Sequence, residues 1–410
     1  MKQRKNVVLV LAVIIVMIGI SIILAEQFSV AESSRETPGT DGTSIPALPV
    51  TAISVSTTAV ATGTMTKTPD VTISRQQAQA LLDEWEMDEG VIHGYFVAGV
   101  SLTDRYPGKI LYEFSLVPDN TSIRETNATL FIDAETGDPY NPLQDKAGIT
   151  IEQAKAKARG AFPELSTDRV RIRFNDGSQY MRSWAFELMK GEEKLVEGGL
   201  DADTGELSSY FIGITRLDRP ETPSVTMDAA QQTADREIRE RNGDISIVLV
   251  DARLDPLGMP GEKIAGQYVF VYNRIIRGVP CDSDGFTITV DSVKGNVVEY
   301  RKSWSLPENA VALPAEPSVS KDTAIATVQK EAEKIYPASA ASFHIVSTDL
   351  RWKDFHNPDK VVPAAGSVPL AWRVEFDDES IRGWQYPIPA TGWVDARNGS
   401  LLDIYYRHEH

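Results

Sequence analysis

The chain has 410 residues, 42% of them apolar and 8% aromatic, enough for globular cores in more than one domain. Its formal charge is −17, from 41 basic and 58 acidic residues, which argues against the positive stripe that nucleic-acid phosphates require. A single cysteine, Cys281, excludes an internal disulfide framework and a cysteine metal cluster.

Lys2, Arg4 and Lys5 precede an uncharged apolar run from Val7 to Ala25. At about 1.5 Å per residue such a run approaches the ~30 Å hydrocarbon core of a bilayer. The positive flank stays in the cytoplasm and sends the rest of the chain across. Ser29-Val30-Ala31 has the small-x-small form of a cleavage site, so residues 1–31 are expected to be a transmembrane anchor or a signal peptide. Residues 32–70 follow with fifteen Ser and Thr plus Pro38, Pro46, Pro49 and Pro69. That composition cannot bury enough apolar surface to offset its ordering entropy and reads as a stalk. Asn120, Asn127 and Asn398 each begin an Asn-x-Ser/Thr sequon, the N-glycosylation acceptor pattern of exported chains.

Beyond the stalk one pattern recurs. Ser74, Thr150, Thr226 and Ser320 each stand ahead of an apolar stripe of helical period, as N-caps do. Gln77 and Gln153 complete a capping box in the first two cases. The stripes include Ala78, Leu81 and Leu82; Ala154, Ala158 and Phe162; Ala230, Ala234 and Ile238; Ala324, Val328 and Ala332. Their alanines suit a helix lying close on a sheet.

Downstream the period changes to two. Tyr112-Glu-Phe114-Ser-Leu116, Trp184-Ala-Phe186-Glu-Leu188 and Trp372-Arg-Val374-Glu-Phe376 alternate as half-buried strands, and Tyr268 to Tyr272 is apolar on both faces. Each copy then reaches an Asp-x-x-x-Gly turn: Asp133 to Gly137, Asp201 to Gly205, Asp291 to Gly295 and Asp395 to Gly399. The Asp side chain closes a local turn and the Gly supplies a positive φ. Tyr210 and Tyr300 each lie five residues after their turn glycine, in a strand leaving the turn. The expected unit is helix, strand, strand, tight turn, strand, used four times.

The helix start, the aromatic strand and the Asp-Ala-x-Thr-Gly-Glu hairpin together resemble the PepSY domain, across about residues 71 to 408. The resemblance implies an α+β fold of tandem small modules, each one helix packed on an antiparallel sheet, in the extracytoplasmic space. It also implies a link to peptidases, because related modules occur in the propeptides of secreted metalloproteases. The domain expectation is 71–147, 148–220, 221–310 and 311–410.

From cap to turn Asp the copies span 59, 51, 65 and 75 residues, so the last two carry extra material. It is placed at Asp251 to Lys263 and Lys353 to Ser367. These two copies also share Ile276-Arg277-Gly278 and Ile381-Arg382-Gly383, which reads as a closer relationship between them. Arg277, Arg382, Trp352 and Trp384 lie near the extra segments and are the expected recognition residues, being of types enriched at interface hot spots. Trp384 reads equally well as core.

Zincin, phosphate-loop and nucleophile-elbow motifs are absent, and Ser318-Val-Ser-Lys321 falls where a linker meets a helix cap. Asp201, Asp203 and Glu206 would supply too few oxygens for a calcium loop. Glu375, Asp377, Asp378 and Glu379 read as a solvated hairpin tip, and Arg407-His408-Glu409-His410 as a solvated tail. Cys281 has an acidic neighbour, which raises a thiol pKa. No cofactor or metal is expected. The sequence points to a non-enzymatic, membrane-anchored extracytoplasmic protein that binds an envelope protein or peptide, a peptidase among them. The rival reading is a sensor of a small ligand or ion.

Overall fold

The computed structural model describes residues 71–89, 95–118, 128–176, 182–257, 263–355, 363–384 and 387–408. The anchor or signal segment, the stalk, Asn120 and Asn127 lie outside them. No helix among the described residues is long and apolar enough to cross a membrane.

The fold is α+β, and a helix followed by a four-stranded antiparallel meander recurs along it. The first unit is α1 (Arg75–Glu89) with β1 (Tyr95–Thr103), β2 (Leu111–Pro118), β3 (Ala128–Asp133) and β4 (Pro139–Tyr140). The second is α2 (Ile151–Gly160) with β5 (Arg169–Asn175), β6 (Ser183–Lys190), β7 (Glu193–Asp201) and β8 (Leu207–Phe211). The third is α3 (Met227–Asn242) with β9 (Ile247–Asp255), β10 (Gln267–Ile276), β11 (Val279–Asp291) and β12 (Val297–Ser303). The fourth is α4 (Lys321–Ile335) with β13 (His344–Trp352), β14 (Leu370–Asp377), β15 (Ala390–Asp395) and β16 (Leu401–Tyr405), plus the short α5 (Glu379–Arg382).

Each unit thus has four strands where three were expected. The additional one follows the helix directly, and in the second unit its signal is plain in the alternation of Arg169-Val-Arg-Ile-Arg-Phe. Asp251 to Asp255, expected in an inserted loop, form the end of β9. The exit strand of the first unit has only two residues, because Pro139 brings no N–H to the ladder and the chain turns into a 3-10 helix at Pro142–Lys146.

The helix stripes face the sheets. Ala78, Ala154, Ala158, Ala230, Ala234, Ala324 and Val328 are fully buried. Gly392 on β15 sits beneath Val328, where a Cβ would lie 2.6 Å from both γ carbons, so the glycine sets how closely α4 approaches.

The four turns share one geometry. Asp133, Asp201, Asp291 and Asp395 each accept the N–H two residues on through Oδ1, at 2.9, 3.0, 2.8 and 2.7 Å. The N–H groups of Gly137, Gly205, Gly295 and Gly399 return to the same Asp carbonyls at 2.8–2.9 Å, with φ between 71° and 79°. Ser292 and Val293, unlike their counterparts in sequence, leave this geometry unchanged.

A second feature ties each turn to its helix. The residue after the Asp (Ala134, Ala202, Ser292, Ala396) is at most 1% exposed, and its carbonyl accepts from the residue before the N-cap: Ile73, Ile149, Val225 or Val319. The aromatic that opens the second strand completes the tie. Tyr112 Oη, Tyr268 Oη and Trp372 Nε1 donate at 2.8–2.9 Å to the carbonyls of Ile73, Val225 and Val319. Trp184 holds the same register, opposite Leu200, but its Nε1 is buried without a hydrogen-bond partner among the described residues. Small residue, aromatic and cap therefore form one latch per unit.

The two central units merge. β8 pairs antiparallel with β12, setting Tyr210 opposite Tyr300, Phe211 opposite Glu299 and Ser209 opposite Arg301. Tyr210 and Tyr300 are equivalent by the repeat and the flanking pairs mirror each other, so a local two-fold axis passes between the two tyrosines. Their rings stack with centroids 5.6 Å apart and planes 4° from parallel. A single hydrophobic core contains Ala154, Phe162, Trp184 and Phe186 together with Ala230, Ile238, Phe270 and Phe286.

The third and fourth units meet differently. β11 touches β13 through one parallel bridge, Cys281 to Trp352, over a core of Ile276, Val279, Leu306, Val311, Val368 and Leu370.

Candidate functional site

An open cleft of about 560 Å³ lies beside the local two-fold axis. The last turns of α2 and α3 wall it through Gly160, Ala161, Glu240, Arg241 and Asn242, and Glu206, Leu207, Tyr300, Lys302 and Trp304 on the exit strands and their flanks complete it. The pairing of β8 with β12 creates the site by bringing the ends of two helices together.

Arg241 is its centre. The guanidinium lies 5.0 Å from the Tyr210 ring centroid and 5.2 Å from that of Phe162, within cation–π range. Its Nε donates to Glu237, and one terminal nitrogen donates to the Ala161 carbonyl that α2 leaves open at its C-cap. Glu237 also accepts from Tyr210 Oη at 2.8 Å, and Asn242 donates to Tyr300 Oη at 3.0 Å. Burial works against the Arg241 charge, but Glu237 outweighs it and holds the pKa above the ordinary value. Burial pushes the Tyr300 hydroxyl up to about 12, opposed by Asn242 and Arg241, so it stays a neutral donor and acceptor.

At the rim Lys302 Nζ reaches Glu206 at 2.9 Å and lies 5.6 Å from the Trp304 ring centroid. The Glu206 side chain is 67% exposed, so this rim pair contributes little to stability and can exchange partners. Trp304 is held from behind by Arg274, 4.3 Å from its ring, whose own charge is answered by buried Asp284. The cleft therefore offers a fixed aromatic floor, a hydrogen-bonding tyrosine and exchangeable charges of both signs.

The expected recognition residues do not converge on it. Trp352 is fully buried, and its Nε1 donates to the Ile276 carbonyl at 2.9 Å between the third and fourth units, which removes it as a surface contact. Trp384 is half-buried against the core of the fourth unit. Arg277 and Gly278, both at positive φ, form the exposed two-residue turn between β10 and β11. Arg382 ends α5, pairs with Asp377 and reaches the Ser342 carbonyl. The shared Ile-Arg-Gly triplets thus adopt a hairpin turn in one unit and a helical turn in the other. Asn398 is exposed in the fourth turn, where its Oδ1 accepts from Ser400 N at 2.8 Å.

The acidic stretches also have other roles. Asp203 takes the Arg182 guanidinium on both oxygens and Asp201 takes turn amides, so with Glu206 on Lys302 the three carboxylates of that loop serve three different partners. Asp378 is fully buried: it caps Ile381 N and accepts from Tyr406 Oη and His408 Nε2. His408 stacks on Tyr336 with centroids 3.8 Å apart. Asp378 of the expected solvated tip and His408 of the expected solvated tail are therefore in contact with each other, while Glu379 and Arg407 stay exposed. Cys281 is fully buried, and burial is the main cause that pushes its thiol up.

The cleft residues gave little signal in sequence. Only the equal offset of Tyr210 and Tyr300 from their turn glycines marked the position, and nothing local says that two exit strands pair.

The family described as the YcdB, YcdC repeated domain (DUF4901) matches residues 169–304. The match runs from β5 to Trp304 and so spans the strands of both central units and the cleft's aromatic floor. Among solved structures, the Bacillus megaterium YpeB C-terminal domain is similar at 10% identity and a TM-score of 0.39, over 63% of this chain and 98% of that one. An uncharacterized protein from Eubacterium rectale is similar at 13% identity and a TM-score of 0.32, over 62% of this chain and 81% of that one. No curated protein matches.

Proposed function

We propose that this chain is a non-enzymatic extracytoplasmic protein, tethered by its N-terminal apolar segment, whose tandem PepSY-like modules bind an envelope protein or peptide in the central cleft. The observation that carries the reading is the composition of the cleft: Arg241, Tyr300 and Trp304 stand together, and these residue types dominate binding hot spots. The match of residues 169–304 to a repeated domain supports the repeat reading. The link to peptidases rests on the resemblance of the caps, aromatic strands and turns to PepSY modules.

A photo-crosslinking residue at Leu207, in the full-length chain in its native envelope, tests the reading. The expected result is a discrete protein adduct that Trp304→Ala abolishes. No adduct, or one indifferent to Trp304, refutes it. The cleft volume also falls within the range of about 300–1,000 Å³ typical of small-molecule sites. A thermal-shift screen against envelope metabolites and calcium separates that second reading: a shift abolished by Trp304→Ala favours it, and no shift removes it.

A further inference from the structure

We propose that the free edge of β16 pairs with β16 of a second copy of this chain, antiparallel about a two-fold axis at Ile404. The arrangement repeats a contact found within the chain. β8 and β12 are the exit strands of their units, and each places the residue five after its turn glycine, Tyr210 or Tyr300, opposite its own equivalent. β16 is the exit strand of the fourth unit, and Ile404 occupies that position after Gly399. Among the described residues β16 pairs only with β15 and ends the sheet.

The backbone is oriented for a partner. In β8 the register turns the N–H of Tyr210 toward β12, as the bond from Ile212 N to the Val298 carbonyl at 2.7 Å shows. The same register turns the Ile404 N–H outward, where it donates to the side chain of its own neighbour Asp403 at 2.9 Å. A local side-chain bond of this kind satisfies an edge amide until a strand carbonyl replaces it.

The side chains are self-complementary. Pairing about Ile404 sets Asp403 opposite Tyr405 of the second copy, with Arg407 of that copy on one diagonal and its Asp403 on the other, and the two-fold repeats these contacts. No like charges stand directly opposite, and each Asp403 carboxylate has an Arg407 as near as the other carboxylate, so the opposite-charge diagonals offset the one like-charge diagonal at the axis. Tyr405, 47% exposed and stacked on Arg407 in the single chain, gains a neighbour across the axis. The contact is isologous and closes at two copies, so it forms a dimer and not a fibre.

Oxidative cross-linking of the full-length chain carrying Ile404→Cys tests this. A Cα separation of about 5.5 Å, the value for a directly opposed hydrogen-bonded pair, lies within disulfide range. The parent chain is the blank, since Cys281 is fully buried, and Leu217→Cys, at 80% exposure, reports random collision. The expected yield exceeds that control, falls about fivefold with Asp403→Lys or Arg407→Glu at low salt, and recovers in the double reversal. A yield no greater than that of Leu217→Cys, or one indifferent to either charge reversal, overturns the proposal.

Discussion

Replacing Asp378 by Asn keeps the volume and one acceptor but removes the charge. The Asp378 carboxylate receives Ile381 N at 2.8 Å and His408 Nε2 at 2.7 Å, as well as the Tyr406 hydroxyl, while fully buried. Burial pushes its pKa up, but Tyr406, the Ile381 amide and His408 pull it further down, to about 2 from an ordinary 3.8. A folded-state pKa below the unfolded value means stabilisation that is complete above pH 4 and lost as pH falls through about 2. At about 1.4 kcal/mol per unit, the contribution near neutrality is about 2 kcal/mol, a thirtyfold change in the local opening equilibrium. Because the chain holds several cores, one global unfolding midpoint is a poor reporter. Hydrogen exchange of the peptide spanning 378–384 reads the site directly. Asp378→Asn should lower its protection about thirtyfold at pH 7. Urea unfolding followed at the same peptide should show the gap to wild type closing as pH approaches 2. A gap under about 0.5 kcal/mol at pH 7, or one that persists unchanged at pH 2, refutes the reasoning.

Three further outcomes follow from the latches and turns. Gly205→Ala should cost about 2–3 kcal/mol by urea denaturation and Gly191→Ala only about 1, because both have positive φ but the added Cβ at Gly205 meets Lys157 at 2.3 Å, whereas Gly191 faces open space. Equal costs would show that side-chain contact at the turn does not matter. Trp372→Phe should cost about 1 kcal/mol more than Trp184→Phe, since only the first breaks a hydrogen bond, to Val319. Reversed costs would remove the aromatic donor from the latch. Arg219→Ala should destabilise the third unit by about 3–5 kcal/mol, because it strands the Asp291 carboxylate that Arg219 holds at 2.6 Å, both side chains being at most 3% exposed. Calorimetry showing an unchanged transition would refute it.

What could be read from the sequence was what is encoded locally. An N-cap, a helical stripe and an Asp-x-x-x-Gly turn each need only a few neighbouring residues, so Thr150 and Gln153 or Asp395 and Gly399 announce themselves. Edge pairing is not local: Tyr210 and Tyr300 look like any strand aromatics until β8 meets β12. Burial across units is equally silent, which is why Trp352 reads as a surface anchor and sits between two units. Asp378 and His408 misled for the same reason. An acid at a strand end and a histidine near the C-terminus are ordinarily solvated, and only the return of the chain past Tyr336 brings them together. The strand after each helix is absent from the sequence reading in all four units: in three its alternation has little contrast, and in the second Arg169 to Phe174 alternates openly and still went unread.

The latch between turn and helix start has a bearing on how such a chain changes length. Each unit is fastened where its first residues meet its last hairpin, through Ile73 and Ala134, Ile149 and Ala202, Val225 and Ser292, or Val319 and Ala396. Everything between those two points is a closed loop whose entropy rises only logarithmically with added residues. The intervals from cap to turn accordingly range from 51 to 75 residues with the fastening unchanged. Growth within a unit leaves its neighbours' register untouched, so one repeat can gain a segment while the others keep their form.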